Sequence, residues 1–234
     1  MAMNTIRFDN GVLNFDTMKF QECQLSVSDY TTKTTGYAYK EFQKDDQVIK
    51  EIEQFFEQIQ PNETSRRELL NYIATCLTGA KYEYDLTIIT GSGGNGKTAL
   101  LNLIKLSFGY YVRPVPVKLL TNMDKIIVPM HLDGVRLLES SDPSQDEFMN
   151  GETIKLITDY YKCNMIICSI CDYWISALPS NFRVKTFIFP TKFKNNPDPT
   201  NSDELKCDSK IYNKIHTWKE GFVWYLLNVV KQTN

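Results

Sequence analysis

Eight consecutive residues, Gly91-Ser-Gly-Gly-Asn-Gly-Lys-Thr98, fill the pattern G-x-x-x-x-G-K-[ST] without a gap and constrain the fold more than any other stretch. Before them, Asp85 to Thr90 (DLTIIT) is a short β-branched apolar run; after them, Ala99 to Leu106 (ALLNLIKL) carries apolar residues at helical spacing. The order strand, glycine loop, helix predicts a cradle for a polyphosphate. Glycines at 91, 93, 94 and 96 admit backbone angles that side chains forbid, so successive N–H groups can turn inward on phosphate oxygens. The helix N-terminus adds its partial positive charge. In such a cradle Gly91, Ser92, Gly93, Gly94, Asn95 and Gly96 wrap the phosphates, Lys97 reaches the β- and γ-phosphates, and Thr98 ligates Mg²⁺. A glycine-rich turn that merely precedes a helix is the plain alternative.

The flanking chain predicts an α/β protein. Ile6 to Phe8 and Val12 to Phe15 are strand-like runs joined through Asn10-Gly11, a strong hairpin signal, so residues 1–46 form a β-rich N-terminal segment. Val48, Ile49, Ile52, Phe55, Phe56 and Ile59 fall on one face of an amphipathic helix that Pro61 ends. Ser65-Arg-Arg-Glu68 makes a capping box for a second helix, and Gly79 stands where its C-cap belongs. These helices form a collar-like segment, 47–80, ahead of a core over 81–195 and a C-terminal helical region over 196–234.

Downstream of the glycine loop, Gly109 marks a helix stop, Tyr110 to Pro116 a connector, and Lys118 to Lys125 a short polar-faced helix. Val135-Arg-Leu-Leu-Glu139 reads as a strand ending in a carboxylate. An acid there holds Mg²⁺ or its water and orients an attacking water, with Glu139 the first choice, Asp142 the understudy and a plain surface acid the alternative. Asn150 caps a helix that puts Lys155 on its polar face, and Asn164 to Ile170 reads as a buried strand. Asp172 then stands where a γ-phosphate sensor would, or is a structural turn acid. Phe182 to Phe189 alternates like a strand, and Arg183 at its start is a candidate finger for a neighbouring subunit's nucleotide. Thr191 to Lys206 reads as a solvated surface loop, and His216 to Lys231 as a core or lid helix.

Composition narrows the class. A formal charge of −2 over 234 residues excludes a wholly basic nucleic-acid wrapper while leaving room for a local basic channel. No apolar run approaches the roughly 20 residues of a membrane span, and the N-terminus lacks a signal-peptide core, so a soluble intracellular protein with no membrane partner is expected. Cys163, Cys168 and Cys171, with Cys207 downstream, superficially match an iron–sulfur spacing. The residues between them read as a buried strand, so they are expected to be core cysteines. His131 and His216 sit in no ligand spacing.

In their order these elements resemble the helicase part of superfamily 3 primase-helicases of the poxvirus type, found also in other large DNA viruses, phages and linear plasmids. The resemblance rests on Ile6 to Phe15; on Gly91 to Thr98 with Asn95 before Gly-Lys-Thr; on Gly134-Val-Arg-Leu-Leu-Glu139; on Thr153 to Thr158; on Met165 to Asp172; and on Arg183 followed by Phe187-Ile-Phe189. It implies a P-loop NTPase of modified AAA+ fold with a C-terminal helical lid. It also implies ATP and Mg²⁺ as cofactors, a hexameric ring, and 3′→5′ movement on single-stranded or forked DNA during replication of a viral or plasmid-like genome. A primase module would precede residue 1. Two departures stand out: Asp172 occupies a position where the family carries Asn, and only Thr158 to Cys163 separates the Lys155 helix from the next strand, where the family inserts a DNA-lining hairpin. Lys155, Tyr160, Tyr161 and Lys162 remain as a DNA-facing set, cations tracking phosphates and rings stacking on bases, or as a polar helix end. Competing readings are an ATP-binding assembly module with little unwinding and a small-molecule kinase.

Overall fold

The computed structural model describes residues 4–23, 33–121, 132–141, 149–169, 175–176 and 178–233. The chain opens with an antiparallel three-stranded sheet of β1 (Thr5–Phe8), β2 (Gly11–Asn14) and β3 (Lys19–Glu22), turning at Asp9-Asn10 as the Asn-Gly signal predicts. Ile6, Phe8 and Leu13 point into the protein, with the Phe8 ring packed against Phe20, Tyr37 and Tyr39.

Next comes α1 (Gln47–Ile59), which buries Ile49, Ile52, Phe55, Phe56 and Ile59, the apolar stripe read from the sequence. The second helix, α2 (Glu63–Thr78), starts before the expected capping box: Asn62 is the N-cap, its side chain accepting the Ser65 N–H at 3.0 Å. Asn62 is at least as good a cap as serine and stands closer to the Pro61 break. Gly79 closes α2 in the left-handed conformation, φ 78°, as expected.

The body of the protein is a parallel sheet. Its strands are β4 (Leu86–Thr90), β5 (Val112–Pro114), β6 (Leu137–Ser141), then, beyond the short β7 (Met149–Asn150), β8 (Asn164–Cys168), and, beyond the short β9 (Ile175–Ser176), β10 (Val184–Ile188). They lie in the order β10-β4-β8-β6-β5, all parallel. The glycine-loop strand β4 is therefore interior, flanked by β8 and β10, the two strands of this sheet that come last in the chain. Between them run α3 (Lys97–Phe108), α4 (Lys118–Thr121) and α5 (Gly151–Tyr161), and the chain ends with β11 (Lys192–Lys194), β12 (Glu204–Lys206) and α6 (Ile211–Thr233).

Both faces of the sheet are covered, which is why its strands read as nearly continuous apolar runs. Ile89, Leu137, Ile166, Cys168 and Phe187 face α1, α2, α3 and α6 in one core. Leu86, Ile88, Leu138, Met165 and Ile167 face α5 and its Ile154 and Ile157 in another. The first core also takes Ile6 and Phe8 from the N-terminal sheet and Trp218, Phe222 and Leu226 from α6, so the chain's two ends share one buried cluster. Cys163 and Cys168 are buried at either end of β8, as core cysteines would be; Cys171 and His131 lie outside the described residues. Among the described residues no His, Cys, Asp and Glu group is arranged to hold a metal, and no helix is long and apolar enough to cross a membrane.

Arg136 ties the N-terminal sheet to the body. Its buried guanidinium donates to the Leu77 carbonyl at the end of α2 and to the Thr5 carbonyl on β1, and it lies 4.3 Å over the Tyr111 ring. Burial pulls its pKa down to about 10, which leaves it charged at neutral pH. Tyr111 completes the tie, its hydroxyl accepting the Arg7 N–H at 3.1 Å and donating to the Lys33 carbonyl at 3.2 Å.

Candidate nucleotide site

The glycine loop leaves the carboxyl end of an interior parallel strand and enters the N-terminus of α3, the place where open α/β sheets bind ligands. Gly91, Gly94 and Gly96 have φ of 142°, 76° and 88°. A β-carbon on Gly91 would lie 2.4 Å from Asn95 Nδ2 and 2.6 Å from the Phe189 carbonyl oxygen, and one on Gly96 would lie 2.5 Å from the Ile59 side chain. Both positions thus need glycine for angle and for space. Helix α3 begins at Lys97, where its first turn presents N–H groups toward the loop, and Ser92, Gly93, Gly94 and Thr98 are exposed around it. The residues present fit a polyphosphate with its magnesium ion: a small, open loop backbone at a helix N-terminus and an exposed hydroxyl at position 98.

Lys97 and Asn95 form the floor of this cradle. The Lys97 ammonium donates to the Gly91 carbonyl at 2.6 Å and to Asn95 Oδ1 at 2.8 Å, while Asn95 Nδ2 donates to the Phe189 carbonyl at 3.3 Å. Both side chains are buried. Asn95 therefore fixes the lysine and joins the loop to the chain leaving β10. That chain is also bonded to the loop through its backbone, from Phe189 N to the Thr90 carbonyl at 2.8 Å and from Phe193 N to the Gly94 carbonyl at 2.7 Å. The expectation of a merely solvated loop over Thr191 to Lys206 is corrected here. Phe193 belongs to β11, which pairs with β12, and the segment forms one wall of the site. Its Pro, Asn and Asp content marks the turn between the two short strands, which hid the strands themselves.

A cleft of about 450 Å³ opens beside the cradle. It is bounded by Gly93 to Ala99, by the Glu51, Gln54, Phe55 and Gln58 face of α1, and by the first turns of α6 with Ile211, Tyr212 and Trp218. That volume lies within the range of ligand pockets. Helix α6 starts at Ile211, earlier than the sequence reading placed it, and this early part is what lines the cleft.

The acidic candidates separate. The sequence put Glu139 at the end of its strand; it lies in the middle of β6, which continues to Ser141. Register sets Glu139 level with Ile166 and thereby with Thr87, three residues short of the end of β4. Its buried carboxylate is paired at 2.7 Å with Lys105, two turns along α3 from Lys97. The strand runs on because Ser140 and Ser141 keep the ladder to β8, which a sequence reading of apolar runs does not register. Asp142 and Asp172 lie outside the described residues.

Arg183 and Lys155 gather at the opposite edge of the sheet. Asp85, just before β4, accepts the Arg183 backbone N–H at 2.8 Å and the Lys155 ammonium at 3.0 Å. The five residues of β4 separate this edge from the cradle by roughly 17 Å. Arg183 itself is exposed, its guanidinium 5.7 Å over the Tyr84 ring, and it is out of reach of its own subunit's cradle. Lys155, read as DNA-facing or as part of a polar helix end, has its charge engaged by Asp85 and, at 3.8 Å, by Asp159 one turn on. Tyr160 and Tyr161 stand at the end of α5 with ring centroids 4.9 Å apart, Tyr160 being 76% exposed, and Lys162 caps the helix at φ 51°.

Burial alone would raise the Asp85 carboxyl, but the Arg183 N–H and the Lys155 ammonium outweigh it and hold the group below its usual range. A depressed carboxylate stabilises the fold above its unfolded value near 3.9, and that stability goes as pH falls through the folded value. Asp85→Asn is accordingly expected to cost about 1 kcal/mol at pH 7, the gap from the parent narrowing as acid protonates the carboxylate. Urea melts at successive pH values measure this, and a gap that persists undiminished in acid would sink the assignment.

No family model matches the chain. Among curated proteins it is 26% identical, over 260 aligned positions, to "Putative helicase L207/L206" of Acanthamoeba polyphaga mimivirus, an alignment that covers 97% of this chain and 27% of that protein. Among solved structures it resembles the A form apo structure of the NrS-1 C-terminal region at TM-score 0.57 and 18% identity, covering 81% of this chain and 47% of that one. A further apo structure of that region matches at TM-score 0.51, again with 18% identity. The chain spans about a quarter of the mimivirus protein and under half of each NrS-1 chain. It is thus similar in sequence to a viral protein named as a helicase and in fold to the NrS-1 C-terminal region.

Proposed function

We propose that this chain is the ATP-driven motor of a DNA helicase of the superfamily 3 type, acting in replication of a viral or plasmid-like genome. The observation that carries the reading is the cradle itself, a glycine loop between an interior parallel strand and a helix with Lys97 anchored at its floor. The mimivirus relative's name supports the helicase class. In this reading the fold is a modified AAA+ core. Gly91 to Gly96 hold the phosphates, Lys97 neutralises the β- and γ-phosphates, and Thr98 holds Mg²⁺. The magnesium ion supplies charge neutralisation on the phosphate oxygens. Glu139 orients the attacking water and holds Mg²⁺ or its water, with Asp142 as the alternative. Asp172 acts as γ-phosphate sensor and Arg183 in trans, which requires a homo-oligomer, a hexamer in the family pattern, working 3′→5′ in the host-cell interior with a primase or other replication proteins.

A second reading, an ATP-binding assembly module with weak unwinding, is favoured by one specific feature. Helix α5 ends at Tyr161, Lys162 caps it, and β8 begins at Asn164, which leaves no room for an inserted hairpin. Turnover of Mg·ATP with and without single-stranded DNA separates the two. The motor reading expects turnover to rise several-fold with DNA, and the rise to vanish when Tyr160 and Lys162 are replaced by alanine. Binding of ATP with DNA-independent turnover would transfer the chain to the second reading.

A further inference from the structure

The Arg183 guanidinium is held by a ring and not by an acid. It lies 5.7 Å over the Tyr84 centroid, and among the described residues it has no ion pair. Asp85, the acid beside it, has both oxygens taken, Oδ1 by the Lys155 ammonium at 3.0 Å and Oδ2 by the Arg183 backbone N–H at 2.8 Å. The Arg183 carbonyl in turn accepts the Asp85 N–H at 2.9 Å, so the main chain under the side chain is pinned. The ring is anchored as well. Tyr84 is half-buried, its centroid 5.7 Å from that of Tyr82, whose ring meets the buried Tyr72 edge-on at 5.0 Å. Three tyrosines thus step from the core to the surface, with the guanidinium at the outer end. Lys185, whose ammonium is also 6.0 Å from the Tyr84 centroid, is paired with Glu68 at 2.6 Å, which leaves Arg183 as the unpaired charge over this ring.

We propose that Tyr84 is a positioning residue for Arg183, holding its guanidinium ready for the triphosphate in the cradle of a neighbouring copy. The inference rests on the trans role given to Arg183 above. An arginine free in its torsions loses that freedom when it engages a phosphate, and a ring that restricts it beforehand reduces the loss. The kind of partner matters. A carboxylate would occupy the guanidinium N–H donors and cancel its charge. A π-face attracts the cation through its quadrupole and leaves the in-plane N–H fork open for phosphate oxygens. The Tyr84 hydroxyl takes no part in this, so a phenylalanine serves equally.

Steady-state Mg·ATP turnover of the whole chain tests this. Arg183→Ala is expected to lower kcat at least about a hundredfold. Tyr84→Leu, which fills the space without a π-face, is expected to lower kcat about tenfold with KM for ATP within about twofold of the parent, and Tyr84→Phe to restore parental kcat. The double variant Tyr84→Leu/Arg183→Ala is expected to turn over no more slowly than Arg183→Ala, because the ring acts through the arginine, whereas a merely structural role makes the two losses multiply. Mixing Tyr84→Leu with Lys97→Ala, a chain that keeps its arginine and lacks a working cradle, is expected to raise turnover several-fold. Tyr84→Leu at parental kcat while Arg183→Ala is impaired, or losses that multiply in the double variant, overturns the positioning role and leaves the trans arginine standing. Arg183→Ala at parental kcat, or a mixture that gives no rise, overturns the trans arginine and this inference with it.

Discussion

Lys97→Ala should abolish Mg·ATP turnover, by at least about a hundredfold, with the folded chain retained. Removing a preorganised charge from a site where phosphate charge develops costs roughly 3 kcal/mol or more of transition-state stabilisation, which sets that factor. The structural cost is smaller. The Gly91 carbonyl and Asn95 Oδ1 lose their shared donor, yet the loop around them is open to water that can replace it. Phosphate release and a thermal melt, run on the same preparation, separate the two effects. Lys97→Arg does not substitute: an ammonium fits between acceptors at 2.6 and 2.8 Å, and a planar guanidinium does not. Turnover retained in Lys97→Ala would remove the lysine from the chemistry.

Arg136→Ala carries the largest stability loss, about 3 to 5 kcal/mol, the sum of two charge-assisted bonds, one to a buried and one to a half-buried carbonyl. The guanidinium also stacks on Tyr111, so the variant forfeits packing along with hydrogen bonds. Arg136→Lys recovers little, because one ammonium cannot reach the Leu77 and Thr5 carbonyls with the same fork. Urea denaturation gives the number, and the N-terminal sheet is the part expected to loosen first, since the Thr5 contact is one of its anchors. A loss under about 1 kcal/mol would mean that the sheet is held mainly by the packing of Ile6 and Phe8.

Much of this architecture was legible in the sequence because local chemistry and tertiary packing agree there. The Asn10-Gly11 signal marks a hairpin whose turn falls on Asp9 and Asn10, the Ile49 to Ile59 stripe is the buried face of α1, and Gly79 caps α2. The glycine loop was legible for a stronger reason: its identities are demanded by backbone angles and by the close approach of Asn95, Phe189 and Ile59. What was hidden depends on partners distant in sequence. Lys155 reads as a polar-face cation until Asp85, 70 residues earlier, is brought beside it. Arg136 looks like a surface charge within a strand run and proves to be a buried clamp. The wall formed by Phe193 and Lys206 reads as loop, since strands of three residues carry too short an alternation to register. Glu139 was misplaced by two residues because serines at 140 and 141 do not look like strand, although the ladder to β8 continues through them.

The central claim is that the main chain of Gly91 to Thr98 closes on a nucleoside triphosphate with Lys97 beneath it. Titrating the purified chain with Mg·ATP in a calorimeter, beside a circular dichroism spectrum that verifies its folded state, tests this most directly. The account expects a saturable heat with one nucleotide per chain, absent from Lys97→Ala. A folded parent chain that gives no heat and no rise in melting temperature with Mg·ATP would contradict it.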